Sequence, residues 1–534
     1  MTELSQPTQK LIQKYQAWQL SLKPKEGIST IHVDEVASKV ASFYEKIRGV
    51  IEWRDEHLIK KTAIERMLKR RILLKKEGEK ITEPLVLELI RGGHFPNDRI
   101  EESKIKKAQK IIDKYVFVLE NSPEPPKEKQ KLRLYSWIVS LAACELEEIL
   151  SPPLREEALI EYMFELMKER IRLREGIIVI GGISEQEKNI QIYIAVQRAL
   201  FKLDSSLITY NILKKRYQLW ENLPKDQLID IAKNIYSIWD GIEKDLKHPL
   251  ADKIYKVCER YDTPYLLLGD IMSKDPIQIK EKISKPEALE SLIKKFYNKR
   301  LKTLKSRVGR AAIYATLSIF ITNIVSLLAI EIPFTKYVMG HLNLMAIGID
   351  ILGPTLLMFI LVVTVRLPKK ENLELAIMEV MKIVYNKERK DFYEIKAFPK
   401  RSLAINIMIT LLYLLTFFIS FGLIIWGLYK LSFPPLSYVI FIAFICLIAF
   451  AGVKIREKSK ELQLIPRREN FLTFFMDLFS LPILRIGKWL SEKWAKYNVV
   501  VTLFTVLIDV PFQVFVEFLE GWRYFLKEKK EEIH

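Results

Sequence analysis

The stretch AAIYATLSIFITNIVSLLAI, residues 311–330, contains no charged side chain. At the α-helical rise of about 1.5 Å per residue, a stretch of this length covers the roughly 30 Å hydrocarbon core of a bilayer. Residues 402–429 are likewise uncharged, and residues 431–453 are uncharged again after Lys430. The sequence therefore predicts three spanning helices. Prolines at the junction of the last two predict a tight hairpin over residues 432–435.

A fourth apolar stretch, residues 342–365, contains Asp350 and the pair Gly353-Pro354. A helix that begins near Asn343 is long enough to span and leaves Asp350 at a shallow depth. A helix that begins near Ile351, with Asp350 as its N-cap, would be too short for an untilted span. We favour the earlier start. The sequence then predicts an α-helical transmembrane bundle of about four spans over residues 311–453.

The net charge of the chain is +19. Such a charge fits nucleic acid, anionic lipid or membrane topology, and its distribution favours the membrane. The segment directly before the first apolar stretch is rich in bases and contains no acid, as expected at the cytoplasmic membrane surface. We expect these residues to face anionic lipid head groups, and no nucleic acid is expected as a partner. They are Lys294, Lys295, Lys299, Arg300, Lys302, Lys305, Arg307 and Arg310.

Basic residues also crowd the connection 366–401 and the segment that follows residue 453. The connections on the other side, around residues 331–341 and at Lys430, are nearly free of them. Cytoplasmic loops carry an excess of lysine and arginine. The sequence therefore predicts a multi-pass protein of the cell (inner) membrane, with a cytoplasmic N-terminus, a cytoplasmic loop 366–401 and a cytoplasmic C-terminal part.

The C-terminal residues 454–534 contain two further apolar stretches. Residues 471–494 mix large apolar, aromatic and basic side chains, which is typical of a helix in the membrane interface. Residues 499–518 are more apolar but contain Asp509. A fifth span there would put the basic residues that follow it outside, against the charge rule. We favour interfacial or re-entrant amphipathic helices, and a fifth span over 499–518 remains the alternative.

Residues 1–310 are predicted to form a basic, all-helical cytoplasmic domain. Apolar residues between 30 and 76 recur at alternating spacings of four and three, which predicts one long helix with a coiled-coil stripe. The stripe is interrupted by Arg54, Glu56, His57 and Lys61, which form a polar site or face solvent; we favour the solvent-facing interpretation.

Further helices are predicted from apolar periodicity and from the proline and glycine breakers between them. No strand ladder and no fixed repeat emerge, and the apolar run 176–183 is interpreted as a buried connector. Ser184 and Glu187 predict a capping box at one helix start. The predicted helices are 83–91, 101–119, 128–150, 155–173, 185–203, 207–220, 225–246 and 250–261.

The sequence contains no recognisable catalytic, metal or nucleotide motif. Gly181-Gly182 is followed by Ile183-Ser184-Glu185, with no Gly-Lys-Ser or Gly-Lys-Thr downstream. The six histidines are scattered without metal-ligand spacing, and the three cysteines form no CxxC. We therefore predict no cofactor, no metal, no catalytic residue and no enzymatic activity.

Asp350 and Asp509 are the candidate functional residues inside apolar stretches. Ionisable groups within a membrane are costly and tend to mark pathways or partner contacts. The competing interpretation is that each carboxylate merely reaches interfacial water or caps a broken helix.

The leading functional hypothesis is a membrane-anchored scaffold or regulatory protein. Its helical domain would bind a protein partner, a second copy or the anionic membrane surface. The alternative is an oligomeric channel or transporter that uses Asp350 in the bundle. An enzyme acting on lipid at the cytoplasmic face is a third class, for which the sequence names no residues. The abundance of lysine and isoleucine suggests a prokaryotic source.

Overall fold

The computed structural model of the chain is mostly helical and has almost no strand. It describes residues 3–22, 27, 29–33, 56–74, 81–125, 127–173, 184–217, 220–334, 336–337, 344–365, 367–368, 370–385, 391–395, 402–464, 471–496 and 510–533. The chain divides into two compact units. We call Lys282–Lys382 with Ala397–Asn498 the membrane unit, and Thr2–Glu281 with Ile383–Lys396 and Val499–His534 the N-terminal unit.

The N-terminal unit is built from short and medium-length helices. In chain order they are α1 Gln6–Ser21, α2 Glu56–Leu74, α3 Thr82–Arg91, α4 Ser103–Glu120, α5 Glu128–Leu150, α6 Leu154–Arg170, α7 Glu185–Phe201, α8 Ser205–Arg216, α9 Lys225–Lys233, α10 Ile235–Leu246, α11 Ala251–Arg260, α12 Asp262–Lys274 and α13 Ile279–Ile283, the last of which ends at the start of the membrane unit.

Helix α5 lies at the centre of this unit. Its residues 138–146, IVSLAACEL, are all buried, and α2, α4 and α8 pack around it. A helix that is buried on all sides needs neighbours around it. The predicted range 128–150 matches α5 at both ends.

Several helix ends follow the local sequence. The capping box of Ser184 and Glu187 is present at the start of α7, where each side chain bonds the other residue's backbone N–H. At the start of α8, the Asp204 carboxylate accepts from the backbone N–H of Leu207 at 2.9 Å. The predicted single helix 225–246 is two helices, which meet at Asn234.

The described part of the N-terminal unit contains one short parallel strand pair, where the sequence predicted no strand and placed residues 171–173 at the end of the helix 155–173. Strand β1, Ile171–Leu173, pairs with strand β2, Tyr393–Ile395. Three residues per strand are too few for a period-two pattern to be visible in the sequence. The segment Ile383–Lys396 thus completes this unit by strand pairing, and the Ile383 carbonyl accepts from the Tyr162 hydroxyl at 2.9 Å.

The predicted helix over 30–76 is present only in part among the described residues. Thr30 forms an isolated β-bridge with Glu101, and residues 31–33 carry no helix. Helical structure is described from Glu56 to Leu74. The remainder of the predicted coiled-coil stripe, residues 34–55, lies outside the described residues, as does the run 176–183.

The membrane unit begins with α14, Pro286–Ser326, which continues through a π-helical turn, Leu327–Glu331, and a last turn, Ile332–Phe334. The elements that follow are α15 Leu344–Val363, α16 Glu371–Val384, α17 Leu403–Lys430, α18 Pro435–Ser459 and α19 Phe471–Lys496. Among the described residues three helices are long and apolar enough to cross a membrane: Pro286–Phe334, Leu403–Lys430 and Pro435–Ser459. A shorter apolar stretch, Ile347–Val363, lies within α15.

Helices α14, α15 and α18 pack against one another. Two glycines of this group lie at close contacts: a Cβ at Gly353 would meet the Phe441 ring at 3.5 Å, and one at Gly452 would meet Leu361 at 3.1 Å. Both contacts join α15 to α18, and the residue numbers rise together along the two helices. Helices α15 and α18 therefore run parallel.

Helix α19 packs against both α17 and α18. The Ser420 hydroxyl of α17 donates to the Phe479 carbonyl at 2.8 Å. Gly487 is buried against the Cys446 backbone of α18, where no Cβ would fit.

The last described helix, α20, Val510–Ile533, exposes Val514, Phe518, Trp522 and other apolar side chains. Asp509 lies outside the described residues.

Candidate functional site

In the described part of the membrane unit, two polar groups tie the helices together, and the first is centred on Asn372. This residue of α16 is buried. Its amide nitrogen donates to the Tyr297 hydroxyl at 2.9 Å and to the Leu462 carbonyl, and its amide oxygen accepts from the Leu464 backbone N–H at 2.7 Å. Both ends of the side chain are therefore satisfied. The role of this group is therefore structural, as expected for a buried polar side chain with all its hydrogen bonds formed.

The second group lies where the other ends of α14, α15 and α18 meet. It contains Glu331 at the end of the π-helical turn, Asp350 in the second turn of α15 and Ser437 in the first turn of α18. Their exposed fractions are 4%, 1% and 3%. The Ser437 hydroxyl donates to the Glu331 carboxylate at 2.5 Å. The carboxyl groups of Asp350 and Glu331 face each other within interaction distance.

The backbone at Asp350 carries a second polar contact, whose origin is Pro354. Proline has no N–H, so the carbonyl four residues earlier in a helix loses its usual donor. That carbonyl belongs to Asp350, and it accepts instead from the side-chain amide nitrogen of Asn323 on α14. Asn323 is fully buried. A neighbouring helix thus supplies the donor that Pro354 removes, as polar groups within apolar surroundings require.

Several oxygen atoms of this second group and of Asn323 have no hydrogen-bond donor among the described residues. They are both carboxyl oxygens of Asp350, one carboxyl oxygen of Glu331, and the amide oxygen of Asn323. Burying an unpaired charge is costly, and two buried carboxylates that face each other also repel. The arrangement is therefore suited to hold positive charge between the two carboxyl groups.

The sequence identified Asp350 but none of its neighbours. Helix α15 begins at Leu344, so Asp350 lies inside the helix and is not its N-cap. The signal for Asn323 was present, because Pro354 four residues after Asp350 implies a freed carbonyl. Glu331 was assigned to an outer loop because it directly follows the uncharged stretch. Its side chain turns back towards α15 and α18.

The predicted membrane-surface bases lie on α14. The described part of this helix joins them to the first apolar stretch without a break. Seven of the eight are exposed, and Arg300 is half-buried. The opposite face of the same helix buries Ile293, Phe296, Leu304 and Val308. The helix therefore presents a basic surface on one side only.

The sequence analysis favoured a solvent-facing position for the polar residues of the 54–61 region, and at Lys61 this prediction is wrong. Lys61 is buried and forms ion pairs with Asp204 at 2.7 Å and with Glu65 at 3.1 Å. Burial lowers the pKa of Lys61, but Cys144, Asp204 and Glu65 outweigh it and raise the pKa overall. Lys61 thus stays charged and joins α2 to the start of α8. Arg54 and the side chains of Glu56 and His57 lie outside what the structure describes.

A second buried ion pair in the N-terminal unit joins α4 to α5. The Lys114 ammonium lies 2.6 and 2.7 Å from the two carboxylate oxygens of Glu145. One of these oxygens also accepts from the Tyr115 hydroxyl at 2.7 Å and from the Trp220 indole N–H at 3.1 Å. Burial raises the pKa of Glu145 and lowers that of Lys114. The described polar atoms of this network are mutually bonded, so its role is structural.

Among the described residues, no group of three or more histidine, cysteine, aspartate or glutamate side chains could hold a metal ion. Comparisons with protein-family models, with curated proteins and with solved structures find no match to this chain.

Proposed function

We propose that the protein is a membrane-anchored scaffold or regulatory protein. Its helical N-terminal unit binds a protein partner, a second copy of the chain or the anionic membrane surface. The observation that carries the proposal is helix α14, which begins with an exposed basic face and runs on into an apolar stretch of spanning length. Each lysine or arginine near an anionic surface contributes about 1 kcal/mol of attraction.

We further propose four spans, with both flanking parts in the cytoplasm of a cell whose inner membrane holds the protein. The parallel course of α15 and α18 supports this topology, because the second and fourth of four alternating spans must run in the same direction. The basic residues before α14, between α15 and α17, and after α18 all fall on one side in this arrangement.

Cysteine accessibility in intact cells tests the topology. Single cysteines at Ser29, Lys430 and Lys529 are introduced after the three native cysteines have been replaced. Only the Lys430→Cys probe is expected to react with a membrane-impermeant thiol reagent, because it lies at the turn between α17 and α18. Reaction at position 529 as well would establish a fifth span. Reaction at position 29 would mean that the N-terminus lies outside the cell, opposite to the proposed orientation.

Lipid selectivity tests the basic surface of α14. In the variant K302Q/K305Q/R307Q/R310Q of the full chain, we expect the preference for phosphatidylglycerol over phosphatidylcholine to fall several-fold. The reason is that these four side chains are exposed and directly precede the apolar stretch. The preference is measured with spin-labelled lipids on protein reconstituted in vesicles of both lipids, at low and at high salt, because salt screens exposed charges.

The matched control removes the same number of charges from an exposed part of the N-terminal unit. The variant K127Q/K129Q/K131Q/R133Q changes four exposed bases at the start of α5. It is expected to leave lipid selectivity unchanged. Equal losses in the two variants would mean that net charge alone sets the selectivity, and the membrane-surface part of the proposal would be dropped.

A second candidate function is a channel or transporter that uses Asp350. The observation in its favour is the buried pair of Asp350 and Glu331. Asp350 is 1% exposed within a single chain, so a pathway would run between α14, α15 and α18 and not between copies. Such a protein must first bind its cation at this pair.

A further inference from the structure

The acidic pair of the membrane unit lacks a compensating charge among the described residues. Asp350 and Glu331 are almost completely buried, and three of their four carboxyl oxygens have no donor there. The fourth accepts from the Ser437 hydroxyl, which is neutral, and the Glu331 and Asp350 carboxyl groups face each other. Ionisable groups at such positions pair with each other or with a bound ion, because a free charge in apolar surroundings is costly.

Asn323 provides an independent observation that points to a ligand. Its side chain is fully buried, and its amide oxygen has no partner among the described residues. The amide nitrogen is already committed to the Asp350 carbonyl. Since the oxygen and nitrogen of an amide share one carbon, the free oxygen belongs to the side chain that bonds the Asp350 backbone. It is a buried acceptor, whereas a compensating donor would be expected if the role of this side chain were structural.

The Asn372 group shows what a structural polar contact looks like in the same unit. It joins elements of the same bundle by a buried amide, and both ends of that amide are bonded. Unsatisfied acceptors are therefore not a general property of helix packing in this unit. In the described part of the membrane unit, the buried side-chain acceptors without a donor belong to Asp350, Glu331 and Asn323.

We infer that Asp350 and Glu331, with the Asn323 amide oxygen as a further ligand, bind a single monovalent cation, either a proton or an alkali ion. All available atoms are oxygens, which are the ligands of hard cations. A proton requires only the two facing carboxyl groups. The free oxygens number four, which is fewer than the roughly six to eight that Ca²⁺ takes. Ser437 is a positioning residue that holds Glu331 towards Asp350. The inference goes beyond the scaffold function and does not depend on it.

Dicyclohexylcarbodiimide tests the inference on the full chain in detergent or nanodiscs. This apolar reagent adds the oxygen of a protonated carboxyl to its central carbon and takes the carboxyl proton on its nitrogen. Modification at residues 331 and 350 is measured by peptide mass spectrometry between about pH 5 and pH 9. We expect modification at one or both residues, and we expect it to fall at least several-fold as the pH rises. Asp477 on α19, which is exposed, is the internal control and is expected to remain unmodified.

Added salts distinguish the two cations. If NaCl or KCl suppresses the modification at constant pH, compared with N-methylglucamine chloride at equal ionic strength, the site takes an alkali ion. If only the pH matters, the site takes a proton. The variants Asp350→Asn and Glu331→Gln, checked for unchanged elution and unfolding midpoint, identify the modified carboxyl group.

Infrared spectroscopy covers the case in which the reagent cannot enter. A shared proton gives a protonated-carboxyl band in the wild type that is lost in Asp350→Asn and that declines as the pH rises. Absence of both the modification and this band down to about pH 5 in N-methylglucamine chloride, where no alkali ion competes for the site, overturns the inference. A signal that responds to neither pH nor alkali ions overturns it too, because the site would then exchange nothing. Either failure also removes the channel or transporter candidate, but it leaves the scaffold proposal intact.

Discussion

Replacing Glu145 by leucine is expected to lower the free energy of unfolding of the N-terminal unit by about 3–5 kcal/mol. Leucine fits the space approximately but leaves Lys114, whose side chain is 9% exposed, without its carboxylate partner. The Tyr115 hydroxyl and the Trp220 indole N–H lose their common acceptor as well. Removing one partner from a buried pair costs more than the pair contributes, because an uncompensated charge remains buried.

The measurement is denaturant unfolding of the full chain, with limited proteolysis used to detect the unfolding of the N-terminal unit. The double variant Lys114→Met with Glu145→Leu is expected to recover most of the loss, since it buries no charge. The control, Asp240→Ala, removes an exposed ion pair with Lys244 and is expected to leave the unfolding midpoint unchanged. A loss below about 1 kcal/mol in Glu145→Leu would mean that Lys114 reaches water despite its burial.

The helices that the sequence predicted best are those with strong local signals. Helix α5 was predicted to the residue because charged and polar residues precede it and prolines follow it. The predicted capping box at Ser184 was confirmed because it depends only on Ser184 and Glu187, three residues apart. Spanning length was visible at 402–429 and 431–453 because nothing in those stretches is charged.

The elements that were missed depend on partners far away in the chain. Helix α1 is polar overall, but Leu11, Ile12 and Tyr15 form a buried stripe against the rest of its unit. Its N-cap, Ser5, also donates to the distant Ile383 carbonyl at 3.2 Å. Strands β1 and β2 lie more than two hundred residues apart. Local periodicity contains no information about such pairings.

The candidate site shows the same division. Asp350 could be found because a charge inside an apolar stretch is a local anomaly. Glu331 and Ser437 could not, since each lies near the end of its own apolar helix, where polar residues are ordinary. Only the packing of α14, α15 and α18 brings them to Asp350. The same holds for the predicted C-terminal interfacial helix 471–494. Its sequence does not predict the contact of Gly487 with the Cys446 backbone, because that contact depends on tertiary packing.

Asn323→Leu is expected to lower the free energy of unfolding of the membrane unit by about 1–3 kcal/mol, the cost of leaving a buried backbone acceptor unsatisfied. The acceptor is the Asp350 carbonyl, which Pro354 deprives of its helical donor. The substitution is measured by equilibrium unfolding of the full chain in mixed micelles of a mild detergent and dodecyl sulfate. Asn298→Leu, at an exposed position of the same helix, is the matched control and is expected to have little effect.

The origin of this cost is tested by a double-mutant cycle with Pro354→Ala. Alanine at position 354 restores a backbone N–H, which can bond the Asp350 carbonyl within α15. In that background Asn323→Leu should cost less than in the wild type, with a coupling of about 0.5–3 kcal/mol between the two positions. Equal costs in the two backgrounds would mean that Asn323 stabilises the bundle by side-chain packing alone. A positive coupling would instead establish that α14 and α15 are joined through the Asp350 backbone carbonyl that Pro354 releases, so that the helix carrying Asp350 is fixed against the helix carrying Glu331.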